Sequence, residues 1–185
     1  MIVAIDFGIT NTDVALSNKS QYKFFSIPSK NANESFIDEI ISLVDIDITE
    51  ISQIVVTGGK SNELNESFKG VNLTKISETD AIGYGTKEIY KIENEPFITL
   101  SCGTGTACIH HQDGQFSYIG GIAVGGGTIS GLSKAILDSS SLEEITDLAL
   151  KGNRKNIDLL IGDVVNEIGI LNSNVTASNF AKLKN

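Results

Sequence analysis

The sequence predicts an α/β fold made of two successive lobes, the first complete and the second partial. Short β-branched runs alternate with amphipathic segments through the first half of the chain, as strands and helices do in α/β proteins. A group of three strand-like runs joined by glycine-containing turns then occurs a second time, after Pro96. The 185 residues, 41% of them hydrophobic, are enough to bury a core.

The first lobe, which we assign to residues 1–94, opens with three strands. The run from Ile2 to Asp6 is apolar and β-branched, the second alternates in polarity, and Pro28 closes the third. The helix that follows places its apolar residues on one face, from Phe36 to Val44. The predicted elements are strands at 2–6, 12–17, 22–27, 54–57 and 71–76 and helices at 33–44 and 79–92. This succession is typical of a ribonuclease-H-like lobe.

The second lobe, assigned to residues 95–185, starts with a similar group of three strands. Glycine-containing turns at 103–105 and 113–114 join these strands. The predicted elements are strands at 97–101, 106–111 and 115–119 and helices at 128–137, 141–150 and 157–168. The sequence stops at Asn185 without returning to a strand, so we expect an incomplete lobe of the same type. Its open sheet edge should be covered by a partner subunit or by rearranged helices.

Charge and hydropathy exclude several function classes. The net charge is −9, from 23 acidic and 14 basic residues, and no Lys/Arg cluster interrupts this balance. We therefore expect no nucleic-acid partner and no contact with an anionic membrane. No apolar run approaches the ~20 residues of a membrane span, and the start of the chain lacks the pattern of a signal peptide. These features favour a cytoplasmic protein.

Two cysteines and two histidines lie close together in the sequence. Cys102 and Cys108 are six positions apart, which is not a usual zinc-ligand spacing, and a strand would scatter these side chains over both faces. We expect reduced, metal-free cysteines and ordinary structural roles for His110 and His111, which should lie on opposite faces of one strand.

Three turns rich in glycine and threonine follow strands, at 6–12, 101–106 and 125–128. Glycine lets the backbone approach a phosphate closely, and Thr or Asn adds neutral donors. The third turn opens a helix, whose free N–H groups and dipole favour an anion. Each turn alone is as consistent with ordinary turn formation as with phosphate binding. The three together favour a nucleotide site.

Carboxylates stand beside these turns, and each has two possible roles. Asp6, at the end of the first strand, could hold Mg²⁺ through water, or it could cap the following turn. Glu78 and Asp80 follow the fifth strand at the start of a helix. Either could cap that helix, or a carboxylate there could act as the general base of a kinase. The residues alone leave these alternatives open.

Six ordered segments together are specific to one family. They are Cys102-Gly103-Thr104-Gly105-Thr106, Gly120-Gly121, Gly125-Gly126-Gly127-Thr128-Ile129-Ser130-Gly131-Leu132, Leu148-Ala149-Leu150-Lys151-Gly152-Asn153-Arg154, Ile157-Asp158-Leu159 and Thr176-Ala177-Ser178-Asn179-Phe180. On these the chain resembles a type II pantothenate kinase of the acetate and sugar kinase–actin superfamily, from Met1 to about Phe180. The resemblance implies an actin-like ATPase fold.

The resemblance also implies an activity, cofactors and site residues. The activity is transfer of the γ-phosphoryl group of ATP to the primary hydroxyl of pantothenate, the first step towards coenzyme A. ATP and Mg²⁺ are the implied cofactors, a homodimer is the implied assembly, and pantothenate or a similar small molecule is the implied partner. Asp6 is then the magnesium-side acid and Glu78 the catalytic carboxylate. The implied nucleotide contacts are Gly8, Ile9, Thr10, Asn11, Thr12, Asp13, Thr104, Gly126, Gly127, Thr128, Ile129 and Ser130.

Two positions depart from the family pattern and suggest alternatives. Tyr118 stands two residues before the Gly-Gly pair, where the family has an arginine, and a phenol supplies no guanidinium fork. Asp13 stands where the family tends to have a lysine. One alternative is therefore a catalytically impaired nucleotide-binding or regulatory protein of the same fold. Another is a kinase for a different small hydroxyl compound.

Overall fold

The computed structural model describes residues 1–18, 21–165 and 169–183. The strands are β1 (Ile2–Phe7), β2 (Asn11–Asn18), β3 (Gln21–Pro28), β4 (Gln53–Thr57), β5 (Ser67–Phe68), β6 (Val71–Lys75), β7 (Phe97–Cys102), β8 (Thr106–Gln112), β9 (Gln115–Ile122), β10 (Leu159–Leu160) and β11 (Thr176–Ser178). The helices are α1 (Glu34–Leu43), α2 (Glu78–Tyr90), α3 (Gly126–Leu137), α4 (Leu142–Lys151) and α5 (Ile161–Val164). This confirms the predicted α/β class.

The first sheet has six strands in the order β3-β2-β1-β4-β6-β5. β1 and β2 are antiparallel, as are β2 and β3, whereas β1, β4 and β6 run parallel to one another. The five predicted strands of the first lobe are all present, with β1 at the centre. Because β1 and β4 are parallel neighbours, the residues that follow them emerge at the same edge of the sheet.

The hydrophobic core lies between this sheet and α1. Val3, Ile5 and Ile54 are at most 1% exposed, and α1 presents Ile37 and Ile40 to them. Alternate residues of a strand point to opposite faces. The intervening side chains of β1, including that of Asp6, therefore lie on the face away from α1.

Helix α2 packs against a second, antiparallel sheet in the order β7-β8-β9. A Cβ at Gly83 of α2 would overlap with the ring of Phe116 on β9, so a glycine is needed for this close approach. His111 is 1% exposed, its ring lies 4.7 Å from that of Phe97 and 4.9 Å from that of Phe116, and its Nδ1 contacts the Glu95 carbonyl at 3.1 Å. His111 therefore packs as part of the buried interior of this sheet, a structural role that agrees with the sequence prediction.

The predicted helix at 157–168 is wrong over its described part. Leu159 and Leu160 instead form β10, which pairs with β11, and only Ile161–Val164 is helical. The Asp163 carboxylate accepts a hydrogen bond from the Leu160 N–H at 2.8 Å and lies 2.7 Å from the Lys182 ammonium. The pairing with β11 and the ion pair with Lys182, both to residues distant in sequence, outweigh the local apolar periodicity. Residues 166–168 lie outside the described part of the chain.

Contacts divide the chain into two compact units, Met1–Ile129 and Ser130–Asn185. The predicted lobe boundary between residues 94 and 95 falls inside the first unit and remains a prediction. Within the second unit, α4 begins after Ser141, whose hydroxyl accepts from the Glu144 N–H at 3.3 Å, and Gly152 follows its last residue. Among the described residues, no helix is long and apolar enough to cross a membrane.

Candidate active site

Asp6 lies near the carboxyl end of β1, between two neighbouring strands. Its Cα pairs with Asp13 on the antiparallel strand β2 and with Thr57 on the parallel strand β4. The turn after β4 makes room for its carboxylate, because a Cβ at Gly58 would overlap with Asp6 Oδ1. Gly58 also has a φ of +71°, which a residue with a side chain rarely adopts.

The pKa of Asp6 is raised above its ordinary value of 3.8. Partial burial of the carboxyl is the main cause, and the negative charges of Glu78 and Asp13 add to it. The side chain keeps contact with solvent, but enough protein surrounds it to weaken its hydration. Three carboxylates from β1, β2 and α2 thus act on one region. A cation there would relieve their repulsion.

Glu78 is the first residue of α2, and its carboxylate is free among the described residues. The start of this helix is satisfied by Ser77 and Asp80: the Ser77 hydroxyl accepts from the Asp80 N–H at 3.0 Å and donates to the Asp80 carboxylate at 2.7 Å. Glu78 is exposed and makes no hydrogen bond or ion pair within that part of the chain. Of the two acids that could have capped α2, Asp80 takes part in the cap and Glu78 does not.

The first glycine turn is held in shape by its own backbone and by Ser29. A Cβ at Gly8 would overlap with the Asn11 carbonyl oxygen, so a tight turn needs glycine here. The Ser29 N–H donates to the Thr10 carbonyl at 3.1 Å, and the Ser29 hydroxyl donates to the Gly8 carbonyl. Thr12 is fully buried and its hydroxyl lies 3.2 Å from that of Ser29. Thr12 therefore supports the turn from inside.

The second and third glycine turns pack against each other through their backbones. The Gly126 N–H donates to the Gly103 carbonyl at 2.8 Å, and the Gly127 N–H donates to the Thr104 carbonyl at 3.1 Å. A Cβ at Gly125 would lie 2.6 Å from the Gly105 carbonyl oxygen. The expectation that α3 begins with free N–H groups is thus wrong for Gly126 and Gly127, because the neighbouring turn already accepts from both.

A hydrogen bond joins the first turn to the second. The hydroxyls of Thr10 and Thr104, 94 residues apart in the sequence, lie 3.1 Å from each other. Both side chains reach solvent, so the contact sits at the surface where a ligand can reach it. Ile129, the last residue of the first unit, is half exposed. Ser130, also a predicted contact, is the first residue of the second unit and lies within α3.

Sequence reasoning missed two residues of this region, Ser29 and Thr57. Thr57 lines an open groove of about 560 Å³ together with Asp6 and Asp13, while the remaining lining is mostly apolar and includes Ala4 and Val55. The four predicted residues Asp6, Asp13, Thr10 and Thr104 carry polar groups that a motif can identify. Ser29 acts through hydrogen bonds to the first turn, and Thr57 reaches the groove because its strand pairs with that of Asp6. No local pattern in the sequence displays either relation.

Comparison with known proteins identifies the family. The family model described as Fumble matches residues 8–185. The chain belongs to the Fumble family. Similar proteins include the type II pantothenate kinase of Bacillus anthracis, 33% identical over 97% of this chain and 65% of the relative, and that of Bacillus cereus strain ATCC 14579, 35% identical over 97% and 66%. This Fumble-family chain thus spans about two thirds of the length of these relatives.

Solved structures resemble this member of the Fumble family in fold. The activator of the 2-hydroxyisocaproyl-CoA dehydratase from Clostridium difficile with bound ADPNP matches with a TM-score of 0.59, at 18% identity over 86% of this chain and 59% of that chain. A ROK family protein from Streptococcus pneumoniae in complex with sucrose matches with a TM-score of 0.50, at 14% identity over 82% and 68%. These likenesses show the fold alone and agree with the predicted α/β class.

Proposed function

We propose that the chain carries the phosphoryl-transfer site of an ATP-dependent kinase that converts pantothenate into 4′-phosphopantothenate. The observation that carries the proposal is the contact of Thr10 with Thr104, which joins two glycine turns in the same unit as the acids Asp6 and Glu78. Membership of the Fumble family and the names of the relatives support pantothenate as the acceptor.

The turns at Gly8 and Thr104 would hold the phosphates of ATP. Backbone N–H groups of a glycine turn bind phosphate without a positive side chain, which suits a chain of net charge −9. Thr12, Gly126 and Gly127 would act by shaping the turns, because their side chain or N–H groups already have protein partners. The full proposed set is Gly8, Ile9, Thr10, Asn11, Thr12, Asp13, Thr104, Gly126, Gly127, Thr128, Ile129 and Ser130.

The acids around Asp6 fit a magnesium ion bound mainly through water. Mg²⁺ prefers carboxylate oxygens, keeps several waters and needs only one or two protein carboxylates beside the phosphates. Asp6 supplies such an oxygen, and the charges of Glu78 and Asp13 make its surroundings favourable to a cation. Within the described ranges no three His, Cys, Asp or Glu residues form a chelating cluster. When bound, the ion neutralises charge on the phosphates.

Glu78 is the proposed general base. Its carboxylate has no competing partner within the described residues and stands at the N-terminus of α2, close enough to Asp6 to act on its charge. An ionised carboxylate can accept the proton of the pantothenate hydroxyl as that oxygen attacks the γ-phosphorus, while the bond from this phosphorus to the β,γ-bridging oxygen breaks and ADP leaves. Asp80, two residues later, cannot take this role as readily, because it already accepts from Ser77.

The test is transfer of radiolabelled phosphate from ATP to pantothenate. Glu78→Gln should lower the rate about a hundredfold or more, since positioned acid–base groups typically contribute that much. Asp80→Asn is the matched control and should retain most of the activity while weakening the start of α2. No transfer by the unaltered protein, or transfer that is indifferent to Glu78, would reject the proposal.

A kinase for another small hydroxyl compound is the second candidate, and Tyr118 favours it. The residue is 60% exposed, and its hydroxyl lies close to Gly121, where an added Cβ would be 2.5 Å from it. A large phenol next to the Gly-Gly pair changes the shape available to an acceptor. The same phosphate-transfer assay with a panel of alcohols separates the two candidates, because a preference for pantothenate rules this one out. Tight ATP binding without any transfer would instead indicate a regulatory protein.

The assembly and location are proposed with the activity. We propose a cytoplasmic homodimer, with residues 95–185 as the beginning of a second lobe of the same type. Ile98, Leu100 and Ile122 are more than 60% exposed on the second sheet, and this apolar surface supports a covering partner. Light scattering should give the mass of two chains; a well-behaved monomer would contradict the dimer.

A further inference from the structure

Thr57 carries a buried hydroxyl with no partner. Among the described residues, only two side-chain polar atoms are shut off from solvent without a hydrogen bond, namely Thr57 Oγ1 and His111 Nε2. The histidine is explained by its ring, which packs between Phe97 and Phe116. Packing does not explain the hydroxyl of Thr57 in the same way, because a valine would fill the same space without a polar atom.

A buried hydroxyl without a partner costs free energy, since it has lost its hydrogen bonds to water. Most buried polar groups in folded proteins are paired, so an exception calls for a reason. One reason is a partner that is present only in another state of the site. A hydroxyl can both donate and accept, so an ionised carboxylate is a suitable partner for it.

The neighbour placed to be that partner is Asp6. The two residues are directly paired on the parallel strands β1 and β4, and both line the groove on the face away from α1. Neighbouring strands lie about 4.8 Å apart, so a carboxylate and a hydroxyl on paired residues come within reach after a rotation of one side chain. Gly58, directly after Thr57, leaves the space in which the Asp6 carboxylate lies.

We propose that Thr57 is a positioning residue for Asp6: its hydroxyl donates a hydrogen bond to the Asp6 carboxylate when that carboxylate turns to hold a divalent cation. The inference rests on the proposed function, which places the cation at Asp6. The bond fixes one orientation of the carboxylate and leaves its other oxygen for the cation or its waters. Groups that orient a ligand in this way typically contribute tenfold to a hundredfold to metal affinity.

The experiment measures Mn²⁺ binding by electron paramagnetic resonance and, separately, the melting temperature of the metal-free protein. Thr57→Val should weaken Mn²⁺ binding about tenfold or more, and Thr57→Ser, which keeps the hydroxyl, should restore it. In the metal-free protein, Thr57→Val should leave the melting temperature unchanged or raise it, because an unpaired hydroxyl is removed. Thr74→Val is the matched control on β6. The Thr74 hydroxyl accepts a hydrogen bond from Gln53 at 2.9 Å, so this variant should have a lower melting temperature and an unchanged Mn²⁺ affinity.

Each contrary outcome is decisive. An unchanged Mn²⁺ affinity in Thr57→Val overturns the inference, because the hydroxyl then has no effect on the cation. A melting temperature lowered as in Thr74→Val also overturns it, because the hydroxyl then has a structural partner. Asp6→Asn separates this failure from that of the proposed function. If Asp6→Asn abolishes Mn²⁺ binding and Thr57→Val leaves it intact, only the inference fails; if Asp6→Asn also leaves it intact, the cation site at Asp6 fails, and the inference with it.

Discussion

Asp6, the proposed magnesium-side acid, is held at a cost to the stability of the free protein. Its carboxylate is partly buried beside two other acids, and the ionised form that a cation needs is the form that the free protein disfavours. Such an arrangement is common at functional sites, where the surroundings of a side chain favour ligand binding over the stability of the unliganded protein.

The raised pKa of Asp6 predicts how Asp6→Asn alters stability with pH. Above the raised pKa, Asp6 is ionised in both states, but its charge is unfavourable only in the folded protein. Replacing it with asparagine removes this cost, so the substitution should raise the melting temperature near pH 7. As the pH falls through the raised value towards 3.8, the carboxyl takes up its proton and the difference between the two proteins should disappear. Melting curves over this range check the prediction. A variant that melts below the unaltered protein at pH 7 would contradict it.

Local sequence patterns identified the acids at this scale, but not the residues that shape the turns or the proposed partner of Asp6. Asp6 and Glu78 lie at a strand end and a helix start, and both positions are visible from local patterns. Thr57 and Ser29 gain their roles from strands and turns that are distant in sequence. The same applies to Gly126 and Gly127, whose N–H groups are occupied by the turn at Gly103 and Thr104.

At the level of elements, α2 has a central position, since it begins with Glu78 and packs on the second sheet. Its contact with β9 depends on Gly83, which lies against the ring of Phe116, and on the edge-on contact of Tyr84 with that ring at 4.8 Å. Ser77 fixes where the helix starts. The helix therefore links the packing of the second sheet to the position of the proposed base.

Two glycines of α2 should respond in opposite ways to substitution by alanine. Gly83→Ala forces a methyl group into the Phe116 ring, and we expect a loss of about 1–3 kcal/mol in the free energy of unfolding. Gly85→Ala meets no atom within 4 Å and should stabilise the protein by up to about 1 kcal/mol, because alanine favours the helix. Urea unfolding measures both. Equal effects at the two positions would show that α2 does not pack on Phe116 as described.

Elements formed by local signals were predictable, and those formed by distant partners were not. The caps of α1, α2 and α4 come from Asn33, Ser77 and Ser141, each at a predicted helix start or two residues before it. By contrast, β5 has only two residues, too few to show a periodicity. The residues of β10 were predicted to be helical because their apolar spacing suits a helix, and only pairing with β11 makes them a strand.

For the molecule as a whole, the proposed activity depends on two glycine turns that bind one ligand. The turn at Gly8 follows the first strand of one sheet, and the turn at Thr104 lies between two strands of the other. The hydrogen bond between Thr10 and Thr104 brings them together in the first unit. The sequence predicted the repeated group of three strands, but it could not show that the two turns meet, because that contact depends on how α2 and the second sheet pack.

The most direct measurement is a nuclear magnetic resonance titration of the ¹⁵N-labelled protein with Mg²⁺ and a non-hydrolysable ATP analogue. The amide signals of residues 9–10 and 103–105 should move together and give one shared dissociation constant. Those of Gly8, Gly126 and Gly127, whose N–H groups already donate to backbone carbonyls, should move less. Signals that move in only one of the two turns, or that give two different dissociation constants, would contradict a single nucleotide site formed by both.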